Sequence, residues 1–110
     1  MKSWQWIQGP SLPFPVTEGC IISLNDEESM HMLVGGGVTS TQYLQRAYIY
    51  NWNDTVPSWE DAGALSQPRK TLACARVTLD IGEVVVAAGG WVYPNIVPVT
   101  DIYNIASETW

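Results

Sequence analysis

The sequence predicts an all-β protein that consists of two consecutive four-stranded antiparallel sheets. Three residue types recur at a spacing of 53 residues, in the pairs Trp6 and Trp59, Gly37 and Gly90, and Tyr50 and Tyr103. Such a period is typical of repeated sheet units, which bury their apolar faces only by stacking on one another. Short apolar and β-branched runs alternate with Gly, Pro, Asn and Asp, whereas no window has helical periodicity.

The first and second strands of each unit are predicted from apolar runs that flank a polar turn. The first strand covers residues 20–24 and again residues 72–79, and the turns that follow are hairpin signals. The second strand covers residues 31–34 and 83–88, continuous apolar runs of the kind expected in sheets buried on both faces. Each run leads into glycines, which permit a positive φ angle: Gly36 and Gly37, then Gly89 and Gly90.

The third strand covers residues 46–51 and 99–104, and the fourth begins at the tryptophan that follows. Residues 4–9 are then the fourth strand of a preceding unit, residues 19–62 the first unit, and residues 72–110 a second unit without most of its fourth strand. The repeated aromatic residues are expected to fill the space between neighbouring sheets. They are Trp6, Tyr50, Trp59, Tyr103 and Trp110.

The composition indicates a globular protein and argues against several partner classes. Apolar residues make up 46% of the chain. The net charge of −6, from 11 acidic and 5 basic residues, argues against nucleic acid, which requires clustered cations. No run approaches the length of a membrane span, and the first residues lack the apolar core of a secretory signal. Asn53-Asp54-Thr55 matches the N-glycosylation motif, a frequent chance pattern that carries little weight without such a signal. We therefore expect a cytoplasmic protein with no membrane or nucleic-acid partner.

The two cysteines, Cys20 and Cys74, are too few for a disulfide framework or a clustered metal site. Their separation is one residue longer than the repeat, and a shift of one residue turns a side chain to the opposite face of its sheet. We expect two buried, reduced thiols rather than a disulfide.

The order and spacing of glycine, tyrosine and tryptophan resemble the Kelch repeat. The pattern occurs in two copies: Gly37, Tyr50 and Trp59, then Gly90, Tyr103 and Trp110. The WD repeat, a competing propeller type, has a shorter period and Gly-His and Trp-Asp signatures that this sequence lacks. The resemblance implies two consecutive blades of a Kelch-type β-propeller with an incomplete ring, because closed rings have four to eight blades. The remaining blades are expected from a longer chain or from further copies in a head-to-tail homo-oligomer.

The longest and least repetitive connections lie between the second and third strands, at one end of the sheets. These connections and the nearby linker contain aromatic, cationic and amide side chains, which are typical of protein-binding hot spots. The candidate binding residues are Gln42, Tyr43, Arg46, Arg69, Lys70, Trp91, Tyr93 and Asn95. We expect this end to bind an acidic or polar segment of a partner protein. In the alternative interpretation, the aromatic residues fold back over their own sheet and the arginines pair with Asp101 or Glu60.

The opposite end of the sheets is predicted to be acidic, with no Lys or Arg beside its carboxylates. Its acidic residues are Asp26, Glu27, Glu28, Asp54, Asp80, Glu83 and Glu108.

Kelch domains commonly act as protein-interaction propellers, and many recruit substrates to ubiquitin ligases. By resemblance, the leading role is recognition of a partner protein, as a substrate adaptor of such a ligase. The alternative is a fragment of a Kelch-like propeller enzyme, such as a galactose-oxidase-type oxidase. A copper site needs several converging imidazole or phenolate ligands, whereas the chain has one histidine, His31. We interpret His31 as a hydrogen-bonded strand residue. No nucleophile, base and acid form a persuasive trio, and we expect no catalytic residues, cofactor or metal.

Overall fold

Antiparallel sheets form the protein, which the computed structural model describes at residues 5–12, 17–35 and 44–110. The described residues contain no helix, and therefore none that could cross a membrane. Sheet 1 has four strands that pair in chain order. They are β1 (Cys20–Ser23), β2 (Met30–Gly35), β3 (Arg46–Asn51) and β4 (Trp59–Ala64).

Sheet 2 has three strands, and its last connection contains a small hairpin. Strands β5 (Ala73–Leu79) and β6 (Gly82–Ala88) pair with each other. The short strands β7 (Trp91–Val92) and β8 (Asn95–Ile96) then pair with one another, and β9 (Thr100–Asn104) returns to the free side of β6. The two sheets do not close a ring.

The positions predicted for the strands of the two sheets are confirmed, with ends that differ by no more than one residue. The turn between β1 and β2 shows why the polar residues mark the ends. The side-chain oxygen of Asn25 accepts a hydrogen bond from the main-chain N–H of Ser29 at 3.0 Å, and Glu28 adopts a positive φ of 56°. Such side-chain bonds to the backbone offer an alternative to the sheet ladder and end the strand. The hairpin of β7 and β8 was not predicted.

The predicted fourth strand at residues 4–9 is not formed. Residues 5–9 have no strand, residue 4 lies outside the described residues, and the side chain of Trp6 is fully exposed instead of packed between sheets. A fourth strand forms by pairing with the third strand of a sheet. In sheet 1 the third strand, β3, already pairs with β4, and residues 5–9 pair with no other third strand among the described residues. Trp6 therefore has the spacing of the repeat without its packing.

The core lies between the two sheets and contains residues from both. Alternate residues of β2, including Met32 and Val34, point into it and are fully buried. The other buried members of this cluster are Leu24, Ala47, Leu65, Leu72, Val85, Ala87 and Tyr103. Each sheet thus covers the apolar face of the other sheet, which neither could bury alone.

A disulfide between Cys20 of β1 and Cys74 of β5 joins the two sheets, with their Cα atoms 6.4 Å apart. The expectation of two reduced thiols is therefore wrong. The separation of one residue more than the repeat explains the bond, because it turns the two side chains to opposite faces of their own sheets. Strands β1 and β5 contact each other where the two sheets pack, so the face that carries Cys20 faces the one that carries Cys74.

The repeated aromatic residues form the same pair in both sheets. The rings of Tyr50 and Trp59 have centroids 5.2 Å apart, and those of Tyr103 and Trp110 are also 5.2 Å apart. Both tyrosines are buried. The repeat is nevertheless imperfect in the ladder, since His31 lies opposite Tyr50 whereas Val85 lies opposite Tyr103.

Glycines allow close approaches at two places. At Gly90, φ is 97° and an added Cβ would lie 2.6 Å from the carbonyl oxygen of Lys70, so only glycine fits there. At Gly63, φ is 92° and an added Cβ would lie 3.1 Å from the ring of Trp110. The indole N–H of Trp110 donates to the carbonyl oxygen of Ala62 at 3.1 Å, which joins the C-terminal residue to β4 of sheet 1. Gly89 also has a positive φ, as predicted, whereas Gly36 and Gly37 lie outside the described residues.

Candidate partner-binding surface

The connections between strands fall at two ends of the protein. The connections from β2 to β3, from β4 to β5 and from β6 to β9 share one end, which we call the hairpin end because it carries β7 and β8. The turns from β1 to β2, from β3 to β4 and from β5 to β6 share the other end, which we call the acidic end. This division follows from the antiparallel order of both sheets and agrees with the prediction.

The hairpin is attached at its base to the linker between β4 and β5. Lys70 and Trp91 exchange two main-chain hydrogen bonds, each 3.0 Å long. The Lys70 ammonium lies 4.5 Å from the centre of the Trp91 ring and 3.2 Å from a carboxylate oxygen of Glu18. A cation above an indole face contributes roughly 0.5–1 kcal/mol at an exposed site. Backbone bonds and a cation–π contact thus hold the same base.

The tip of the hairpin is exposed and partly apolar. Tyr93 is 73% exposed and Ile96 is 84% exposed, while the Tyr93 ring meets the Trp91 ring edge to face at 6.2 Å. Asn95 is also exposed. Four of the predicted binding residues, Lys70, Trp91, Tyr93 and Asn95, therefore lie together. Ile96, which lies opposite Trp91 in the hairpin, was not predicted.

Arg69 is fully buried, so its interpretation as a recognition residue at the surface is wrong. One guanidinium nitrogen donates to the carbonyl oxygens of Gly89 at 3.3 Å and Val99 at 2.7 Å, and another pairs with the carboxylate of Asp101. Asp101 also accepts hydrogen bonds from the backbone and hydroxyl of Ser66, at 3.2 and 3.0 Å. The alternative pairing with Asp101 is confirmed, and Arg69 supports the two chain segments that enter and leave the hairpin.

Arg46 lies at the hairpin end with about half of its side chain exposed. It binds the carboxylate of Asp61 through two hydrogen bonds of 2.7 and 2.8 Å, so the expected partner Glu60 was the wrong neighbour. The irregular pairing of β3 with β4 between Arg46 and Tyr48 brings Asp61 into reach. These bonds, together with the N–H of Gly63, hold the pKa of Asp61 below its usual value.

The described cations of the hairpin end, Arg46, Arg69 and Lys70, each have an acidic partner. Gln42 and Tyr43, two further predicted binding residues, lie outside the described residues. Among the described residues of this end, exposed aromatic and aliphatic side chains of the hairpin tip therefore outweigh free positive charge.

The acidic end contains a cation, contrary to the prediction. Arg76 of β5 binds Asp26 at 2.7 Å and Glu83 at 3.4 Å. The prediction considered only residues in the turns, whereas the long side chain of Arg76 starts within a strand and extends to the end of the sheet.

A cleft of about 810 Å³ lies between β3 and β4 of sheet 1 and the C-terminal residues of sheet 2. Its carboxylates include Asp54, Glu60 and Glu108. Burial raises the pKa of the Tyr103 phenol, and the charge of Glu108 adds to the effect. Carboxylates and one phenol do not form a set of nucleophile, base and acid.

His31 is a hydrogen-bonded strand residue, as predicted, because its Nδ1 accepts a bond of 3.1 Å from the indole N–H of Trp52. Within residues 5–12, 17–35 and 44–110, no group of three or more His, Cys, Asp and Glu is placed to hold a metal ion.

No protein-family model matches the chain, and a search of curated proteins finds no matching relative. The fold and its surfaces therefore carry the functional argument.

Proposed function

We propose that this chain is a protein-interaction module, built as two neighbouring blades of a Kelch-type propeller, that binds a partner protein through its hairpin end. The observation that carries the proposal is the hairpin itself. It presents Tyr93 and Ile96 to solvent on a short ladder whose base, at Trp91, is bound to Lys70. A side chain that is held in place before binding loses less entropy when a partner covers it.

The equal centroid distance in the two Tyr–Trp pairs supports the assignment to propeller blades. A repeated Tyr–Trp distance of 5.2 Å, in sheets whose first three strands pair in the same order, is expected of two copies of one unit. The stacking of β1 on β5 supports it as well, since the first strands of neighbouring blades face one another. In this proposal further blades, from the same chain or from other copies, complete the ring.

The exposed hairpin tip favours a partner with an apolar or aromatic groove. The sequence led us to expect an acidic partner, but Arg69 is buried and Arg46 and Lys70 already contact carboxylates. Tyrosine is among the residues that most often contribute strongly to binding, through area and a hydroxyl on one rigid side chain. Recognition through Tyr93 and Ile96 needs no free cation.

A substrate-adaptor role for a ubiquitin ligase, which the Kelch resemblance implies, requires a partner in the cytosol. Disulfides are rare there because the thiol pool keeps cysteines reduced. The bond between Cys20 and Cys74 therefore favours a partner outside the cytosol.

The proposal is tested by photo-crosslinking in the full-length protein, with a crosslinking amino acid at position 93 or, as a control, at position 81. Ile81 is an exposed residue of similar character in the turn at the acidic end. The affinity of the partner identified in this way is then measured for Tyr93→Ala, Ile96→Ala and Ile81→Ala. We expect a loss of roughly tenfold or more for the hairpin variants, which is about 1.4 kcal/mol, and no loss for the control. Equal affinities for all three variants would refute the proposed surface.

A further inference from the structure

The N-glycosylation motif Asn53-Asp54-Thr55 lies in the turn from β3 to β4, at the acidic end, with all three residues exposed. The main chain of this turn is fixed by Asn51. Its side-chain oxygen accepts from the N–H of Asn53 at 2.9 Å, and its carbonyl oxygen accepts from the N–H of Asp54 at 3.3 Å. Among the described residues, the side-chain amide of Asn53 makes no hydrogen bond. The acceptor nitrogen is therefore accessible in the folded protein.

The motif occurs once in the sequence. As a pattern alone it is weak, because an asparagine in this context is modified only in a compartment that contains the transferase, and only at a surface position. Exposure in a turn meets the second condition. The first condition requires independent information about the compartment.

The disulfide between Cys20 and Cys74 provides that information. It joins two separate sheets across 54 residues of sequence, and such bonds form and persist in secretory and extracellular compartments. Those compartments are also the ones in which asparagine is glycosylated. Two unrelated features, one in the turn and one between the sheets, thus indicate the same environment.

We infer that Asn53 carries an N-linked glycan, attached in the compartment where the disulfide between Cys20 and Cys74 forms. The side-chain nitrogen of Asn53 bonds to the anomeric carbon of an oligosaccharide carried on a lipid diphosphate. The bond from that carbon to the diphosphate oxygen breaks, the lipid diphosphate leaves, and the amide loses one proton to solvent. The two thiols lose two protons and two electrons to the disulfide of an oxidoreductase, which becomes a dithiol. This location replaces the cytoplasmic one expected from the sequence.

The glycan would be attached beside exposed apolar side chains and away from the hairpin. Trp52 and Val56, on either side of the motif, are both exposed, and a bulky polar chain at Asn53 covers such surface. If the proposed function is right, the glycosylated acidic end is not the docking end, and the hairpin end stays uncovered. The inference about Asn53 does not require the proposed function.

The test begins with the protein isolated from the cells that naturally produce it. Treatment with a peptide N-glycosidase is expected to lower its mass and to convert the acceptor asparagine to aspartate. Alkylation before reduction is expected to leave both cysteines unmodified, and alkylation after reduction to modify both. A natural protein with an unchanged mass, or with free thiols, overturns the inference.

Variants produced through a secretory pathway locate the modification. Thr55→Ser keeps the motif and is expected to keep the glycan, whereas Thr55→Ala removes the motif and the mass shift. Asn53→Gln is expected to behave as Thr55→Ala, and Asn95→Gln, an exposed asparagine outside any motif, as the unchanged protein. A mass shift that persists in Thr55→Ala and Asn53→Gln, or one that is missing in the unchanged secreted protein, would also overturn the inference. Loss of the glycan with unchanged partner affinity leaves the proposed function standing, so the two conclusions fail separately.

Discussion

Replacing Arg69 with methionine tests whether this buried cation supports the structure or contacts a partner. The Arg69 side chain is fully buried, and it pairs with Asp101 and donates to the carbonyl oxygens of Gly89 and Val99. Methionine fills a similar volume without donating a hydrogen bond. The Arg69→Met protein therefore keeps the packing but removes the guanidinium donor from the Asp101 carboxylate and from the carbonyl oxygens of Gly89 and Val99. Asp101 keeps its hydrogen bonds from Ser66, and the Val99 carbonyl keeps the bond from the Gly89 N–H.

The size of the loss follows from the burial of the pair. Removing one partner of a buried ion pair costs about 3–5 kcal/mol, because the other charge stays desolvated. Asp101 keeps 16% of its side-chain exposure and its hydrogen bonds from Ser66, which places the cost at the lower end, about 3 kcal/mol. The matched control is Arg46→Met. Arg46 also pairs with a carboxylate, but both side chains are about half exposed, and such pairs contribute about 0–1 kcal/mol.

The free energy of unfolding is measured by urea denaturation, followed by tryptophan fluorescence, on protein with the disulfide intact. We expect Arg69→Met to lose about 2 kcal/mol more than Arg46→Met. Adding Asp101→Leu should restore part of the loss, since the unpaired charge is then gone. Should Arg69→Met lose no more than Arg46→Met, the structural role of Arg69 is refuted. Arg69→Lys, which keeps the charge and loses the planar fork, provides a milder variant with an intermediate loss.

Three further predictions concern contacts within and between the sheets. Changing Cys20 and Cys74 together to serine should lower the free energy of unfolding by about 4 kcal/mol in urea denaturation, because the bond closes a loop of 54 residues; a loss below about 1 kcal/mol would contradict this. The hydrogen bonds from Arg46 lower the folded-state pKa of Asp61, so its contribution to stability is present above about pH 4 and is lost as pH falls through the folded pKa. Acid titration of Asp61→Asn should show a shallower decline, and an unchanged decline would exclude the pair as its source. Trp110→Phe should cost about 1–2 kcal/mol in the same urea assay through the lost indole bond to β4, and a cost near zero would exclude that bond as a stabilising contact.

The positions of the strands could be predicted because local residues determine them. The strand predicted at residues 83–88 contains the apolar run 84–88 between Gly82 and the glycines at 89 and 90, and β6 differs from it only by the addition of Gly82. The repeat gave independent support to each strand, because a spacing of 53 residues aligns the strands of one unit with those of the other and Tyr50 with Tyr103. Both tyrosines are buried beside a tryptophan.

The features that were not predicted depend on residues distant in sequence. Arg69 follows a proline in a polar linker, where an exposed side chain is the usual outcome, and its burial depends on Asp101 and on two carbonyl groups of another strand connection. The hairpin of β7 and β8 is too short for an alternating pattern to mark it. Trp6 illustrates the opposite case, in which the spacing is right but no third strand stands beside it.

The disulfide, the buried ion pair and the C-terminal indole all act on the boundary between the two sheets or on the linker that crosses it. Cys20 is bonded to Cys74, Arg69 of the linker is bonded to Asp101 of β9, and Trp110, which follows β9, is bonded to β4 of sheet 1. The base of the hairpin belongs to the same linker through Lys70. Since Lys70 adjoins Arg69 in the chain, a change that loosens the Arg69 pair should also loosen the hairpin base. If the proposed hairpin surface binds a partner, this one linker couples that binding to the stability of the boundary. A test of binding alone therefore has to alter the hairpin tip and not its base.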